Sequence, residues 1–145
     1  MIYLTADDLE VIITDYTLKD ILEYTDDITG STILQNAERT SIDIVFSYIT
    51  NIYDKEVELA KSGTTRDFMI VNSVSTIAQY LLYQRVSTDI IPSHIDLSYE
   101  RIIENLVNIQ NRKIIPVIAK KESDDETYVP RIVSSSNTPR TSYDY

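Results

Sequence analysis

At 145 residues the chain has the size of a single domain, long enough to bury roughly two-thirds of its unfolded surface. Its 23 acidic side chains against 13 Lys and Arg leave a net charge of −10, which argues against a protein that coats duplex nucleic acid, since that task needs a basic face. The absence of cysteine excludes a disulfide scaffold, a thiolate metal site and a cysteine nucleophile. The acidity is uneven: residues 1–60 hold 13 acidic and 3 basic side chains, while residues 61–145 hold 10 of each. With 43% hydrophobic and 25% charged residues the composition is that of a folded chain with a core. Only two glycines are present, which leaves little material for phosphate-cradling loops or tight hairpins and favours helices. Asp7 and Asp8 stand where a signal peptide would carry positive charge, and the apolar runs are too short for a membrane span, so a soluble protein without a secretion signal is expected.

Thr5 followed by Asp8 reads as a capping box that opens a short helix over about 6–13, with two carboxylates favourable at its positive end. Thr17 and Asp20 repeat the signal and predict a second short helix ending near Tyr24. Thr25 to Thr32, with Asp26, Asp27 and Gly30, reads as a turn-rich connection. A long helix then starts at Ser31 or Thr32, its stripe formed by Ile33, Ala37, Ser41, Ile44, Tyr48 and Ile52, with Leu34, Val45 and Ile49 beside it. Many of these residues are β-branched, so packing rather than propensity must hold the helix.

Residues 54–65 are charged and then turn-like around Ser62-Gly63, and read as a loop. A second long helix is expected over 66–86, with Phe68, Val71, Val74, Ile77, Ala78, Leu81 and Leu82 inward. After Pro92 a third covers 96–112, where Tyr99, Ile102, Ile103, Leu106 and Ile109 recur at spacings of three and four. Each long helix would span about 25–30 Å, and Pro116 stops any continuation.

The composition then changes. Ile114-Ile115-Pro116-Val117-Ile118 is β-prone and apolar, the charged run Lys120 to Glu126 follows, then Tyr128-Val129-Pro130-Arg131-Ile132-Val133 and a Ser/Thr/Pro/Tyr-rich end. A segment of this length without a helical period either stays disordered or orders on a partner. The expected architecture is all-α: a small helical bundle of two short N-terminal and three long helices over residues 1–113, with an extended C-terminal arm over 114–145.

No catalytic constellation stands out. His94 is the only imidazole, and its sequence neighbours Ser93 and Asp96 cannot by adjacency form a triad, which needs partners placed by the fold. Asp26-Asp27 and Asp124-Asp125-Glu126 offer oxygen ligands, but neither run has the alternation, central glycine and distal glutamate of an EF-hand. Tyr80 and Tyr83, three apart and near Arg85, could stack on bases; a core edge with hydroxyls at the surface is the plainer reading in an acidic chain. No cofactor and no metal are expected.

Several stretches together resemble a known family. These are the opening Met1-Ile2-Tyr3-Leu4-Thr5-Ala6-Asp7-Asp8-Leu9, Ser41-Ile42-Asp43 in the first long helix, and Ile77-Ala78-Gln79-Tyr80-Leu81-Leu82-Tyr83 in the second. Tyr99-Glu100-Arg101-Ile102-Ile103-Glu104-Asn105-Leu106, the basic exit to Lys113, Ile114-Ile115-Pro116 and the terminal Ser134 to Arg140 complete the pattern. In this order they resemble the head-to-tail adaptor (connector, or neck-ring) proteins of tailed bacteriophages, related to a Mu-like family of small phage neck proteins. Two departures stand out. Tyr48 and Tyr53 lie further past Asp43 than the family's tyrosines, and Asn111-Arg112 replaces a helix-ending glycine. Asparagine tolerates the left-handed conformation, which lets a cap survive at that point.

The resemblance implies a structural virion protein without catalysis, assembled in the host cytoplasm and located at the neck between capsid and tail. It implies a ring of copies of the chain, commonly twelve, under the portal protein, a platform for the next tail or neck protein, and a channel through which DNA passes without specific binding. No membrane is involved. The arm's apolar side chains, Ile114, Ile115, Val117, Ile118, Tyr128, Val129, Ile132 and Val133, are the expected partner interface, because they have no domain of their own to bury them. An acidic lumen would let DNA slide rather than stick. The rival readings are an acidic helical regulatory module whose tail folds on one soluble partner and, more remotely, a metal-dependent hydrolase using Asp26, Asp27 and His94.

Overall fold

A computed structural model of the chain describes residues 2–22, 27–50, 53–86 and 91–114. Among these residues the protein is all-α: α1 (Ala6–Glu10), α2 (Asp15–Leu22), α3 (Asp27–Ile49), α4 (Lys55–Leu59), a 3-10 turn (Gly63–Thr65), α5 (Phe68–Val86) and α6 (Ser93–Gln110). The three long helices run about 27–34 Å each. They pack on one another in all three pairings, and α1 and α2 lean on α5.

The helix starts follow capping chemistry. At α1 the Thr5 hydroxyl accepts from the Asp8 N–H at 3.3 Å while Asp8 Oδ2 accepts from the Thr5 N–H at 2.7 Å, the expected box. At α2 the cap is Thr14, whose hydroxyl accepts from the Thr17 N–H at 3.3 Å; Thr17 therefore lies inside the first turn rather than before it. Asp67 opens α5 by accepting from the Met69 N–H at 2.8 Å.

Three expectations are corrected. The stretch read as a connection up to Thr32 is already helical from Asp27. Gly30 falls in that first turn, where its cost of about 1 kcal/mol is offset by the packing of the rest of α3. The charged stretch 54–65 is not a plain loop: Asp54 Oδ1 accepts from the N–H groups of Glu56 and Val57 at 2.9 and 3.1 Å and starts α4, an N-cap hidden among other acidic residues. Phe68, expected inward, is 80% exposed, because the first residue of α5 projects past the end of the bundle instead of along its seam.

The buried stripe of α3 is also rotated from the expected one. Its centre is Ala37, Glu38, Ser41, Ile42, Val45, Phe46 and Ile49, with Ile33, Leu34, Ile44 and Tyr48 at its margins, so Ala37 and Ser41 lie on it as expected; Ile52 lies outside the described residues. The α5 helix is more deeply enclosed than a one-sided stripe predicts: every residue from Ser73 to Gln79 is buried. The two serines are satisfied within the helix and Gln79 by the segment that follows α1. The Ser73 and Ser75 hydroxyls donate to the carbonyls of Met69 and Val71 at 2.7 and 2.8 Å, and Gln79 Nε2 donates to the Ile12 carbonyl at 2.9 Å. No buried side-chain nitrogen or oxygen among the described residues lacks a partner, as a stable interior requires.

Candidate functional site

The place where the arm leaves the body is built by the end of α6. Asn111 keeps a right-handed backbone (φ −81°), and it is Arg112 that turns left-handed (φ +58°). The Arg112 N–H donates to the Ile109 carbonyl at 2.8 Å, and the Lys113 N–H to the Asn108 carbonyl at 2.8 Å. Together these make a Schellman motif. The cap survives without glycine, one residue later than expected, with an arginine in a conformation that costs an L-residue roughly 1–2 kcal/mol. Ile114, half-buried, packs against the core cluster, which adds the apolar contact such motifs carry. The direction in which the chain departs is thus fixed by two hydrogen bonds and one side chain. Of the expected interface residues, Ile114 is this anchor; Ile115, Val117, Ile118, Tyr128, Val129, Ile132 and Val133 lie outside the described residues.

A second constellation was not expected from the sequence. Glu38, 1% exposed, accepts on Oε2 from the Ile2 N–H at 2.7 Å and on Oε1 from the N–H groups of Tyr3 and Leu4 at 2.8 and 2.7 Å. Glu58, fully buried, accepts on Oε1 from the Tyr3 hydroxyl at 2.7 Å and the Asp67 N–H at 2.8 Å, and pairs through Oε2 with Lys61. Arg66 donates to the Tyr3 carbonyl at 2.8 Å, spans both Asp8 oxygens at 2.7 and 3.3 Å, and lies 5.6 Å from the Tyr3 ring centre. Every polar group of Tyr3 is therefore held by a different element. Charge-assisted bonds of this kind are the strong ones, and the set closes the N-terminal segment over the bundle. Its titration follows: burial and then the Glu58 carboxylate push the Tyr3 phenol far above its ordinary value. Burial raises the Asp8 carboxyl, but hydrogen bonds from Arg66 and Thr5 outweigh it and hold the group below its ordinary value. The arrangement immobilises a chain segment.

The remaining candidates resolve simply. Tyr80 stacks on Tyr99 with ring centres 4.1 Å apart and planes 15° apart, so its face is engaged across the α5–α6 seam. Burial, followed by Tyr80 and Tyr48, raises the Tyr99 phenol. Tyr83 packs against the core margin. His94 is exposed on the first turn of α6, where its carbonyl accepts from the Ser98 hydroxyl at 2.7 Å. No group of three or more His, Asp or Glu side chains among the described residues is placed to hold a metal, and none of the described helices is long and apolar enough to cross a membrane. Asp26 lies outside the described residues.

The chain matches no family model, no curated protein sequence and no solved structure.

Proposed function

We propose that the chain is a structural subunit of a head-to-tail adaptor of tailed bacteriophages: a ring of identical copies beneath the portal, without catalysis. The single observation that supports it most is the hand-over at Arg112 to Ile114. A closely packed helical body ends in a fixed turn, and 31 further residues follow that carry two apolar patches. A subunit of a closed ring makes heterologous contacts to its neighbours, and an arm that extends from a rigid body suits such contacts, its ordering entropy being offset on assembly. In this reading the arm reaches the portal or an adjacent subunit, and the acidic first 60 residues contribute a surface that repels phosphate.

Native mass measurement of the purified chain tests the proposal. A closed ring of many copies is expected, and a monomer or dimer that titrates one-to-one with a soluble host protein would instead support the regulatory module. A chain ending after Ile114 should keep its helical circular dichroism yet fail to enter particles; normal particles containing it would sink the role given to the arm.

A further inference from the structure

Between the N-terminal half of α3 and the C-terminal half of α5 lies a groove of about 290 Å³, roughly twice the volume of a cavity that takes up a benzene ring. Ile33, Ala37, Leu81 and Leu82 form its floor, and Asn36 and Thr40 its rim. From Ile33 to Thr40 it runs about 10 Å along α3. Arg85 stands at one side, exposed and with no carboxylate partner among the described residues.

The arm carries a matching pattern twice. Ile114-Ile115-Pro116-Val117-Ile118-Ala119 and Tyr128-Val129-Pro130-Arg131-Ile132-Val133 are both an apolar pair, a proline, a variable residue, an isoleucine and a small or β-branched apolar residue. Proline pushes the residue before it into extended or polyproline II backbone, where there are three residues per turn and a rise of about 3.1 Å. Residues three apart then share a side at a separation of about 9 Å, which puts Ile115 with Ile118 and Val129 with Ile132. That spacing fits two side chains along the groove.

Reach separates the two copies. Tyr80 in the C-terminal half of α5 stacks on Tyr99 in the N-terminal half of α6, so α6 runs back along α5 and ends beside its start. That start, at Asp67, is bonded to Glu58 of α4, and α4 follows Tyr53, whose N–H donates to the Ile49 carbonyl at the end of α3. The arm thus leaves at the Ile49 end of α3. The groove residues Thr40 to Ile33 lie nine to sixteen positions earlier, about 14–24 Å along the axis. Four residues from Ile114 to Ile118 extend at most about 14 Å, whereas the fifteen to Val129 extend up to about 50 Å. Only the second hexamer can lie in the groove of its own chain.

We propose that this groove is the docking site of Tyr128–Val133 of the same chain, with Val129 and Ile132 on the apolar floor and the preceding Asp124-Asp125-Glu126 beside Arg85. The arm is parked on the body through its second hexamer while the first stays at the exit. Attachment through a linker of this length gives the segment an effective concentration in the millimolar range, ahead of any second copy in dilute solution. The inference does not rest on the adaptor reading.

The native chain has no cysteine, so a disulfide introduced as a pair reports proximity without background. Asn36→Cys and Arg131→Cys spare Val129, Ile132 and all four floor residues. In the full-length chain, mild oxidation is expected to give an intramolecular bond at least about tenfold faster than the control pair Asn36→Cys with Val117→Cys, whose arm position is out of reach. Adding Ile132→Asp, which leaves the body untouched, should remove that advantage. Equal rates for the two pairs, no bond, or bonds only between copies on a non-reducing gel would each overturn the proposal. The last result would leave the ring reading standing, because native mass answers that question separately.

Discussion

At Glu38 one carboxylate takes three successive backbone N–H groups from the N-terminal segment. Truncation removes the acceptor but not the donors, and buried donors left without a partner cost about 1–3 kcal/mol each. Glu38→Ala is expected to lower unfolding stability by about 3 kcal/mol or more, read from chemical denaturation, and Glu38→Gln by less, since it keeps one acceptor oxygen. The Tyr3 phenol is raised in the folded state, so its stabilising contribution is present below its unfolded value near 10 and is lost as pH rises above that. The Asp8 carboxyl is lowered, so its contribution is present above its unfolded value near 4 and is lost as pH falls below it. Stability measured across pH should therefore fall at both ends. Tyr3→Phe should shallow the alkaline fall, leaving the share due to Tyr53 and Tyr99, whose phenols burial also raises. A flat response above pH 10 in the parent chain would contradict this. In the sequence, Glu38 was legible only as a charge. Its position three and four before Ser41 and Ile42 put a lone carboxylate on an apolar face, but its donors are backbone groups some 35 residues away, which no local pattern names.

Caps are short-range chemistry, and at the level of elements they decided what could be foreseen. Thr5 with Asp8 announces α1 because both bonding partners lie within three residues. Asp54 does the same for α4, yet it is masked by Lys55, Glu56 and Glu58, whose charge reads as loop. The rotation of the α3 stripe escaped prediction for a related reason: alternative stripes of a β-branched helix are nearly equal in apolar content, and the buried Glu38 decides between them. Two left-handed positions give opposite expectations. Gly63 has φ +56° with open space around the position of an added Cβ, so Gly63→Ala meets no clash and only backbone strain, costing about 1 kcal/mol. Arg112 has φ +58°, so Arg112→Gly relieves the same strain and is expected to stabilise by about 0.5–1 kcal/mol. Paired melting curves check both; a loss of stability in Arg112→Gly would mean that its side chain contributes more than its backbone costs.

For the whole molecule, the two short N-terminal helices and the three long ones were readable from periodicity and breakers, whereas the short α4 between α3 and α5 and the central place of α5 were not. Its enclosed polar residues Ser73, Ser75, Thr76 and Gln79 look like a surface face until the serine bonds to carbonyls one turn back and the Gln79 bond to Ile12 are seen. The N-terminal clasp has a consequence for the order in which the protein is made. Tyr3 is gripped by Glu38, Glu58 and Arg66, which lie 35, 55 and 63 residues further along. At a synthesis rate of about 5–20 residues per second, the last of these is added roughly 3–13 s after Tyr3. The segment around Tyr3 is thus made well before the groups that hold it, and it cannot find its place until Arg66 has been added. Until then it stays loose and open to a chaperone, and the clasp shuts backwards, from residues made later onto a segment made earlier.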